Sequence, residues 1–420
     1  MNKAIYALIS LGLLLILSAS AQDCTLHIFG NANGDCLIDE EDISYLQGIL
    51  DGENEKTDLS DANNDGKVDE NDIDQIEQII NGTQEELVVL DAQGKPVEFK
   101  GEVNRIILIP HNHYLYETMR SIGAKDDVVG ITDAFVNMSN KWDSSSRFYP
   151  ELSGIESIGT IDEPDREKII SLKPDAIFTD GHSTGLEESV DLFGIPIIAM
   201  DVNLTNFEKN ARAYGYILNK REKAEEYISW WKSWEDKIDG PLSQLSEDEK
   251  PIVLATFYNS PGITSFYLIG EASMRADVIR KAGVRNLGDV AGINNSGANV
   301  DPEWVLEQNP PNILLITGNQ YMGYDILNSS IVSDLRDEFM ERSDISGLDA
   351  VKNGNVYMAS GLISIGGANG LLGAVYHAKE FHPELFSDLD PKEMHQEYLD
   401  KFQGIDFDMD KEGLFVYPSV

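Results

Sequence analysis

The run Arg105-Ile106-Ile107-Leu108-Ile109-Pro110, followed by His111-Asn112-His113-Tyr114, decides how this chain is read. Four consecutive aliphatic residues closed by a proline make a strand with no wet face, so something must cover both of its sides. The unit recurs at Val128–Thr132, Asp175–Asp180 and Ile195–Met200, short apolar runs each followed by a loop and a helical stretch. A charged helical segment then runs from about Asn206 to Leu245, interrupted only by Gly215 and Gly240-Pro241. Beyond it a second set begins, with Ile252–Phe257, Ile313–Thr317 and Val356–Ser360. Strands alternating with helices predict parallel, helix-covered sheets, here an α/β protein of two Rossmann-like lobes joined by one long helix. Upstream, Glu86 to Phe99 alternates like a hairpin with its turn at Gly94-Lys95-Pro96.

Residues 22–82 have a different composition, with 17 Asp+Glu against two lysines. Acid runs are usually solvated tails, but these acids are periodic. Asn31-Ala32-Asn33-Gly34-Asp35-Cys36-Leu37-Ile38-Asp39-Glu40-Glu41-Asp42 aligns with Asp61-Ala62-Asn63-Asn64-Asp65-Gly66-Lys67-Val68-Asp69-Glu70-Asn71-Asp72 at an offset of 30 residues. Oxygen side chains recur at positions 1, 3, 5, 9 and 12, the placement that wraps a hard cation in oxygens, with the carbonyls of Leu37 and Lys67 at position 7. Ile38 and Val68, apolar at position 8, are expected to pair the loops back to back. The following helices repeat too, with Ile43, Leu46, Ile49 and Leu50 matching Ile73, Ile76, Ile79 and Ile80 in one stripe. The block resembles a dockerin, a small all-α module with two EF-hand-like calcium loops whose relatives bind cohesins. The predicted calcium ligands are therefore Asn31, Asn33, Asp35, Leu37, Asp39 and Asp42, and Asp61, Asn63, Asp65, Lys67, Asp69 and Asp72. Loop one departs from the pattern, because Cys36 stands where the sharp turn needs glycine. Cys36 is expected to bond Cys24, the only other cysteine of an exported chain.

Export is read from residues 1–21. Lys3 precedes a nearly continuous apolar run, Ala4 to Leu17, and Ala19-Ser20-Ala21 offers small cleavage-site residues. The protein is expected at the cell surface or secreted. Its 420 residues carry a net charge of −41, from 32 Lys+Arg against 73 Asp+Glu, a surface that repels nucleic acid and anionic lipid. Five sequons, beginning at Asn81, Asn137, Asn203, Asn294 and Asn328, permit glycosylation.

In open parallel sheets ligands sit beyond the carboxyl ends of the strands. There the chain places His111-Asn112-His113-Tyr114, Asp133-Ala134-Phe135 and Gly181-His182-Ser183 in the first lobe. In the second it places Tyr258-Asn259-Ser260-Pro261, Gly318-Asn319-Gln320-Tyr321 and Gly361-Leu362-Ile363-Ser364. His111, His113 and His182 suit iron, zinc or a haem iron, or else hydrogen bonding and stacking on an organic chelate. Arg147 and Arg275 suit an anionic chelate, since guanidinium forks carboxylates, or are surface charges. Tyr258, Tyr267, Tyr321 and Tyr324 are candidates to face the same guest. His27, His377, His382 and His395 read as structural or surface residues, and Trp230, Trp231 and Trp234 as packing of the long helix.

The stretch opening at Arg105, with Ser121-Ile122-Gly123-Ala124, Val128-Val129-Gly130-Ile131, Tyr149-Pro150, Ser157-Ile158-Gly159 and Glu167-Lys168-Ile169-Ile170-Ser171-Leu172-Lys173-Pro174-Asp175, is similar to helical-backbone solute-binding proteins. So are His382-Pro383-Glu384-Leu385-Phe386 and Asp388-Leu389-Asp390-Pro391. These are exported receptors that deliver iron-siderophores, haem or cobalamin to ABC importers. The resemblance spans about Leu87 to Gly404. It implies a monomer that closes on a metal chelate, ferric siderophore foremost, and docks on arginines of a permease through Glu167 and Glu303, one on each lobe. The expected map is a signal peptide 1–21, a dockerin 22–82, an N-terminal lobe 83–204, a backbone helix 205–247 and a C-terminal lobe 248–420. Two other readings stand beside it: a zinc-type ion receptor using the cleft histidines, and a dockerin-borne extracellular enzyme. The chain has no His-Glu-x-x-His or phosphate loop to support the enzyme.

Overall fold

The computed structural model describes residues 24–110, 113–133, 148–180, 194–200, 203–258, 265–318, 320–324 and 326–419. Two helices open it, α1 (Glu40–Asp51) and α2 (Glu70–Asn81), each entered through an aspartate capping box, Asp39/Asp42 and Asp69/Asp72. The hairpin follows as β1 (Glu86–Leu90) and β2 (Pro96–Lys100), antiparallel with Leu87 opposite Phe99. Gly94 takes the turn at φ +76°, a conformation that costs a residue without Cβ little.

The first lobe is a parallel sheet in the order β5-β4-β3-β6-β7. Its strands are β3 (Ile106–Ile109), β4 (Val128–Ile131), β5 (Glu156–Ser157), β6 (Ala176–Thr179) and β7 (Ile197–Ala199), with helices α3 (Tyr114–Ser121) and α4 (Arg166–Leu172) between them. The uniform apolarity of β3 has a simple cause. Ile106 and Leu108 face the main core, while Ile107 and Ile109 face a second cluster with Ile158, Ile169 and Ile177. Both faces are covered, as the sequence required.

Where one long helix was expected there are two, α5 (Phe207–Ile217) and α6 (Arg221–Leu242). Asn219 breaks the segment at φ +53°, and Lys220 N–H closes on the Gly215 carbonyl at 2.7 Å. Asparagine is one of the few side chains that tolerate this left-handed turn. Gly215 serves a different end from the break expected there. A Cβ on it would lie 2.7 Å from that of Ala224, so its bareness lets the two helices pack. Pro241 sits in the last turn of α6, whose 22 residues make a rod of roughly 33 Å at 1.5 Å per residue.

The second lobe is likewise built on a five-stranded sheet, in the order β10-β8-β12-β13-β14 with β14 antiparallel. It comprises β8 (Ile252–Phe257), β9 (Phe266–Ile269), α7 (Met274–Lys281), β10 (Arg285–Asn286), β11 (Gly297–Val300), α8 (Pro302–Gln308), β12 (Asn312–Thr317), α9 (Ser330–Met340), β13 (Val356–Ser360), α10 (Ala368–Phe381), α11 (Pro391–Glu397) and β14 (Val416–Tyr417). Strands β9 and β11 form a separate antiparallel ribbon. The tryptophans pack as read: the indoles of Trp230 and Trp234 on α6 both donate to Glu397, at 2.8 and 3.0 Å.

The compositional boundary near residue 82 is not a packing boundary. Ile28 bridges Val89, and Phe29 N–H donates to the Val88 carbonyl, so the acidic block extends the hairpin. Leu26, Ile28, Leu46 and Ile76, fully buried, join the cluster that also holds Ile106, Tyr227 and Ile316. Each contributes roughly 1.5–3 kcal/mol by leaving water. Ile38 and Val68, expected to pair, share the same cluster, and the backbone of Ile38 is met from outside the loops. The Tyr216 hydroxyl on α5 accepts from Ile38 N–H at 3.1 Å and donates to its carbonyl at 3.3 Å. Arg221 of α6 donates to the carbonyls of Ile79 and Ile80, capping the end of α2.

Candidate functional site

Of the residues expected at the carboxyl ends of the first-lobe strands, His111, Asn112, Arg147 and His182 lie outside the described residues. His113 begins α3 half-buried, and its Nε2 is buried without a hydrogen-bond partner. Tyr114 is not available to a guest. It is 2% exposed, its hydroxyl donates to Asp180 at 3.0 Å, and Gly367 of the other lobe lies so close that a Cβ there would be 3.0 Å from the tyrosine's own. It is a contact between lobes, and the helix around it is buried on every side, so nothing in its sequence betrayed this.

On the second lobe, the half-buried rings of Tyr258 and Tyr321 meet edge-on, 6.1 Å apart. Burial, with Glu338 nearby, pushes the Tyr258 hydroxyl above its usual range. Arg275, at the start of α7, sets its guanidinium 5.0 Å from the ring of Phe257, which closes β8 and contacts Tyr267 at 5.5 Å. Its Nε is buried without a partner, and burial lowers its pKa, partly offset by Tyr267. In a chain with more than twice as many acids as bases, a guanidinium that rests on aromatic carbon and, among the described residues, pairs with no carboxylate is conspicuous. Tyr324, also expected to face the guest, is instead packed against Phe148 at 3.9 Å, Phe415 at 4.8 Å and His395, whose Nε2 is 2.8 Å from its hydroxyl.

The sequence reading missed the group that ties the lobes. Glu117 of α3, 6% exposed, accepts from Tyr149, from Asn369 Nδ2 on α10 at 2.6 Å and from the Tyr398 hydroxyl at 3.1 Å. A cavity of about 270 Å³ lies away from this cleft, where Cys24, Asn206, Trp231 and Arg280 converge.

Glu167 and Glu303 occupy matching elements. Helices α4 and α8 are each seven residues long, capped by Asp165 and Asp301, and end in left-handed residues, Lys173 and Asn309 at φ 49° and 42°. Each leads through a proline into the strand beside the first strand of its lobe. Both glutamates are exposed. Three residues on, Ile170 and Leu306 are 42% and 37% exposed, while their neighbours Ile169 and Val305 are buried. These two aliphatics were not singled out from sequence, although the aligned motifs Asp-x-Glu-x-aliphatic-aliphatic contain them.

The acidic loops fit a divalent cation. Asp42 and Asp72 are wholly buried, and each accepts two backbone N–H bonds, from Asn33 and Asp39 at 3.1 and 2.9 Å and from Asn63 and Asp69 at 3.2 and 2.8 Å. Burial pushes Asp42 up to about 6 and raises Asp72. Asn31, 0% exposed at position 1, has an Oδ1 that no donor reaches. Buried carboxylates without a nearby cationic side chain and an orphaned oxygen are what a bound cation would satisfy. Cys24 and Cys36 form a disulfide with Cα atoms 5.2 Å apart, so the two sulfurs beside Glu208 are not thiolate ligands.

A family model described as "Periplasmic binding protein" matches residues 116–360, more than half of the chain. A search of curated proteins gives no match. Among solved structures, the TroA-like periplasmic binding protein FepB of Veillonella parvula is 22% identical with a TM-score of 0.63, over 78% of this chain and 98% of that one. The molybdate-binding MolA of Haemophilus influenzae is 18% identical with a TM-score of 0.60, over 76% and 99%. CeuE of Helicobacter pylori, in a nickel–histidine complex, is 18% identical with a TM-score of 0.57, over 76% and 96%. These likenesses are of fold. No helix among the described residues is long and apolar enough to cross a membrane.

Proposed function

The chain belongs to the periplasmic binding protein family, the solute-binding partners of ABC importers, and from that premise we propose that it captures a metal-bearing chelate between its lobes and delivers it to an importer. A ferric siderophore is the first choice, haem or cobalamin the next. One observation carries the reading: Arg275, stacked on Phe257 at the end of β8, keeps a buried guanidinium nitrogen without an acid partner. Such a group favours a guest with carboxylate, catecholate or phosphate oxygens, and it opposes a bare cation. That weighs against the zinc-type receptor, although His113 has a free Nε2 to offer it. Two fold neighbours are described with molybdate and with nickel–histidine, guests of the same metal-bearing class. The family is one of transport proteins, which leaves the enzyme reading without support.

Within this reading His113, Tyr258, Arg275 and Tyr321, with His111, Asn112, Arg147 and His182, line the guest's site. Glu167 and Glu303 dock on the permease, each beside an exposed aliphatic residue. Residues 22–82 act as a dockerin, binding calcium through the two loops and offering a cohesin a surface, after a leader of 21 residues has directed export.

The test is native mass spectrometry and thermal shift against ferric siderophores, haem, cobalamin and ZnCl2. A chelate is expected to bind, and Arg275→Gln to weaken it about ten- to hundred-fold, as for a lost charged hydrogen bond. Tight binding of zinc alone, indifferent to Arg275→Gln, would overturn the proposal.

A further inference from the structure

The two calcium loops hold position 1 in opposite ways. In the second, Asp61 accepts: Oδ2 from Gly66 N–H at 2.9 Å and Oδ1 from Asp65 N–H at 3.0 Å, with Gly66 at φ +91°. In the first, Asn31 donates: Nδ2 reaches the Asp35 carbonyl at 2.6 Å and the Leu26 carbonyl at 2.8 Å. The peptide joining positions 5 and 6 therefore turns its N–H toward position 1 in one loop and its carbonyl in the other. Cys36 explains the difference, for among the described non-glycine residues positive φ occurs only at Asn64, Lys173, Asn219 and Asn309. A residue with a Cβ at position 6 avoids the left-handed turn that glycine makes there. The first loop is shaped from outside instead. The disulfide holds Cys36 to Cys24, Leu26 N–H also donates to the Asp35 carbonyl at 2.8 Å, and Arg212 of α5 donates to the Cys36 carbonyl at 3.0 Å.

We propose that Asn31 and Cys36 are a matched pair that makes the first loop the weaker calcium site, with its turn locked by the disulfide, and that negative charge at position 31 cannot strengthen it until that turn is released. The proposal rests on the calcium reading above. Ligand charge ordinarily tightens calcium loops, and here the first loop has three acids at its ligand positions against four in the second. A carboxylate at position 31 would nevertheless face two carbonyl oxygens where the amide now donates. Asn31 Oδ1, buried and unreached by any donor, is the oxygen left for the cation.

The experiment is calorimetric titration of CaCl2 into the full chain stripped with EDTA, in an Asp72→Ala background that leaves only the first loop, with melting temperature as the second readout. Asn31→Asp is expected to leave affinity unchanged or weaker and to lower the melting temperature. Asn31→Asp with Cys24→Ser and Cys36→Gly is expected to bind at least tenfold tighter than the unaltered first loop. Tightening by Asn31→Asp alone overturns the proposal, and so does a triple variant no tighter than the unaltered loop. Should Asn31→Asp fail to fold, a folded, tighter-binding triple variant still supports the pairing. Binding lost with Asp72→Ala but present in the unaltered chain also overturns it, by removing the first site. No calcium on the unaltered chain refutes the calcium reading itself, a separate result.

Discussion

Asn369 donates a 2.6 Å hydrogen bond to Glu117, joining helices of opposite lobes across 252 residues of sequence. Tyr398 donates to the same carboxylate oxygen, Tyr149 to the other, and Gln403 Nε2 to the Glu117 carbonyl at 3.2 Å. One buried acid thus collects donors from both halves of the molecule. Glu117→Ala strands those side-chain donors, each costing about 1–3 kcal/mol when left unpaired. The variant is expected to lose about 3 kcal/mol or more in urea unfolding. A loss under 1 kcal/mol would show that the lobes are held elsewhere.

Docking is expected to fail when Glu167→Ala and Glu303→Ala are combined, while affinity for the guest stays as it was. Truncating a buried interfacial charge costs about 2–5 kcal/mol, so uptake into proteoliposomes carrying the importer should fall at least tenfold. Ile170→Ser with Leu306→Ser should reduce uptake as well, to a smaller degree. Equal loss of guest affinity would place these residues in the cleft.

Acid should weaken the fold through His395. Wholly buried among Tyr324, Tyr376 and Phe415, it is pushed down to about 3, against 6.5 in an exposed chain. The unfolded chain therefore takes the proton first as pH falls. The stability that depends on neutral His395 is complete above about 6.5 and is lost between there and 3, at up to about 1.4 kcal/mol per pH unit. His395→Gln is expected to flatten that slope in denaturation curves between pH 4 and 7. An unchanged slope would assign acid sensitivity to other groups.

Calcium removal should be felt by the whole receptor. Ile38 of the first loop is bonded to Tyr216, and Arg221 caps α2, so the loops and the rod share one structure. EDTA is expected to lower the main melting transition, and hydrogen exchange to speed up in α5 along with the loops. A separate early transition, with the main one unmoved, would mean that the acidic block behaves as an independent module. Tyr216→Phe, which removes only the hydroxyl, should reduce the shift.

Some of this was legible in the sequence. β3 needed no context, because four aliphatic residues in a row have no side to give to water. The repeated acidic loops were legible for a similar reason: oxygen side chains spaced within twelve residues are a local property, and their repetition at an offset of 30 made the pattern plain. The matching helices that carry Glu167 and Glu303 likewise announce themselves by a short repeated motif.

What the sequence could not supply was contact between distant residues. Nothing near Tyr114 says that Gly367 will lie on it, and nothing near Glu117 says that Asn369 and Tyr398 will satisfy it. The acidic block looked separate because composition changes at its edge, yet Leu26 and Ile28 found their cover in the hairpin and the lobe. The break at Asn219 sat in plain view, but a single asparagine decides a helix end only when the two arms have somewhere to pack. Local periodicity determined the elements and the repeat of the acidic loops. Tertiary structure alone decided which polar groups are buried and by what they are met, because a buried donor or acceptor is answered by whatever the fold brings within about 3 Å of it.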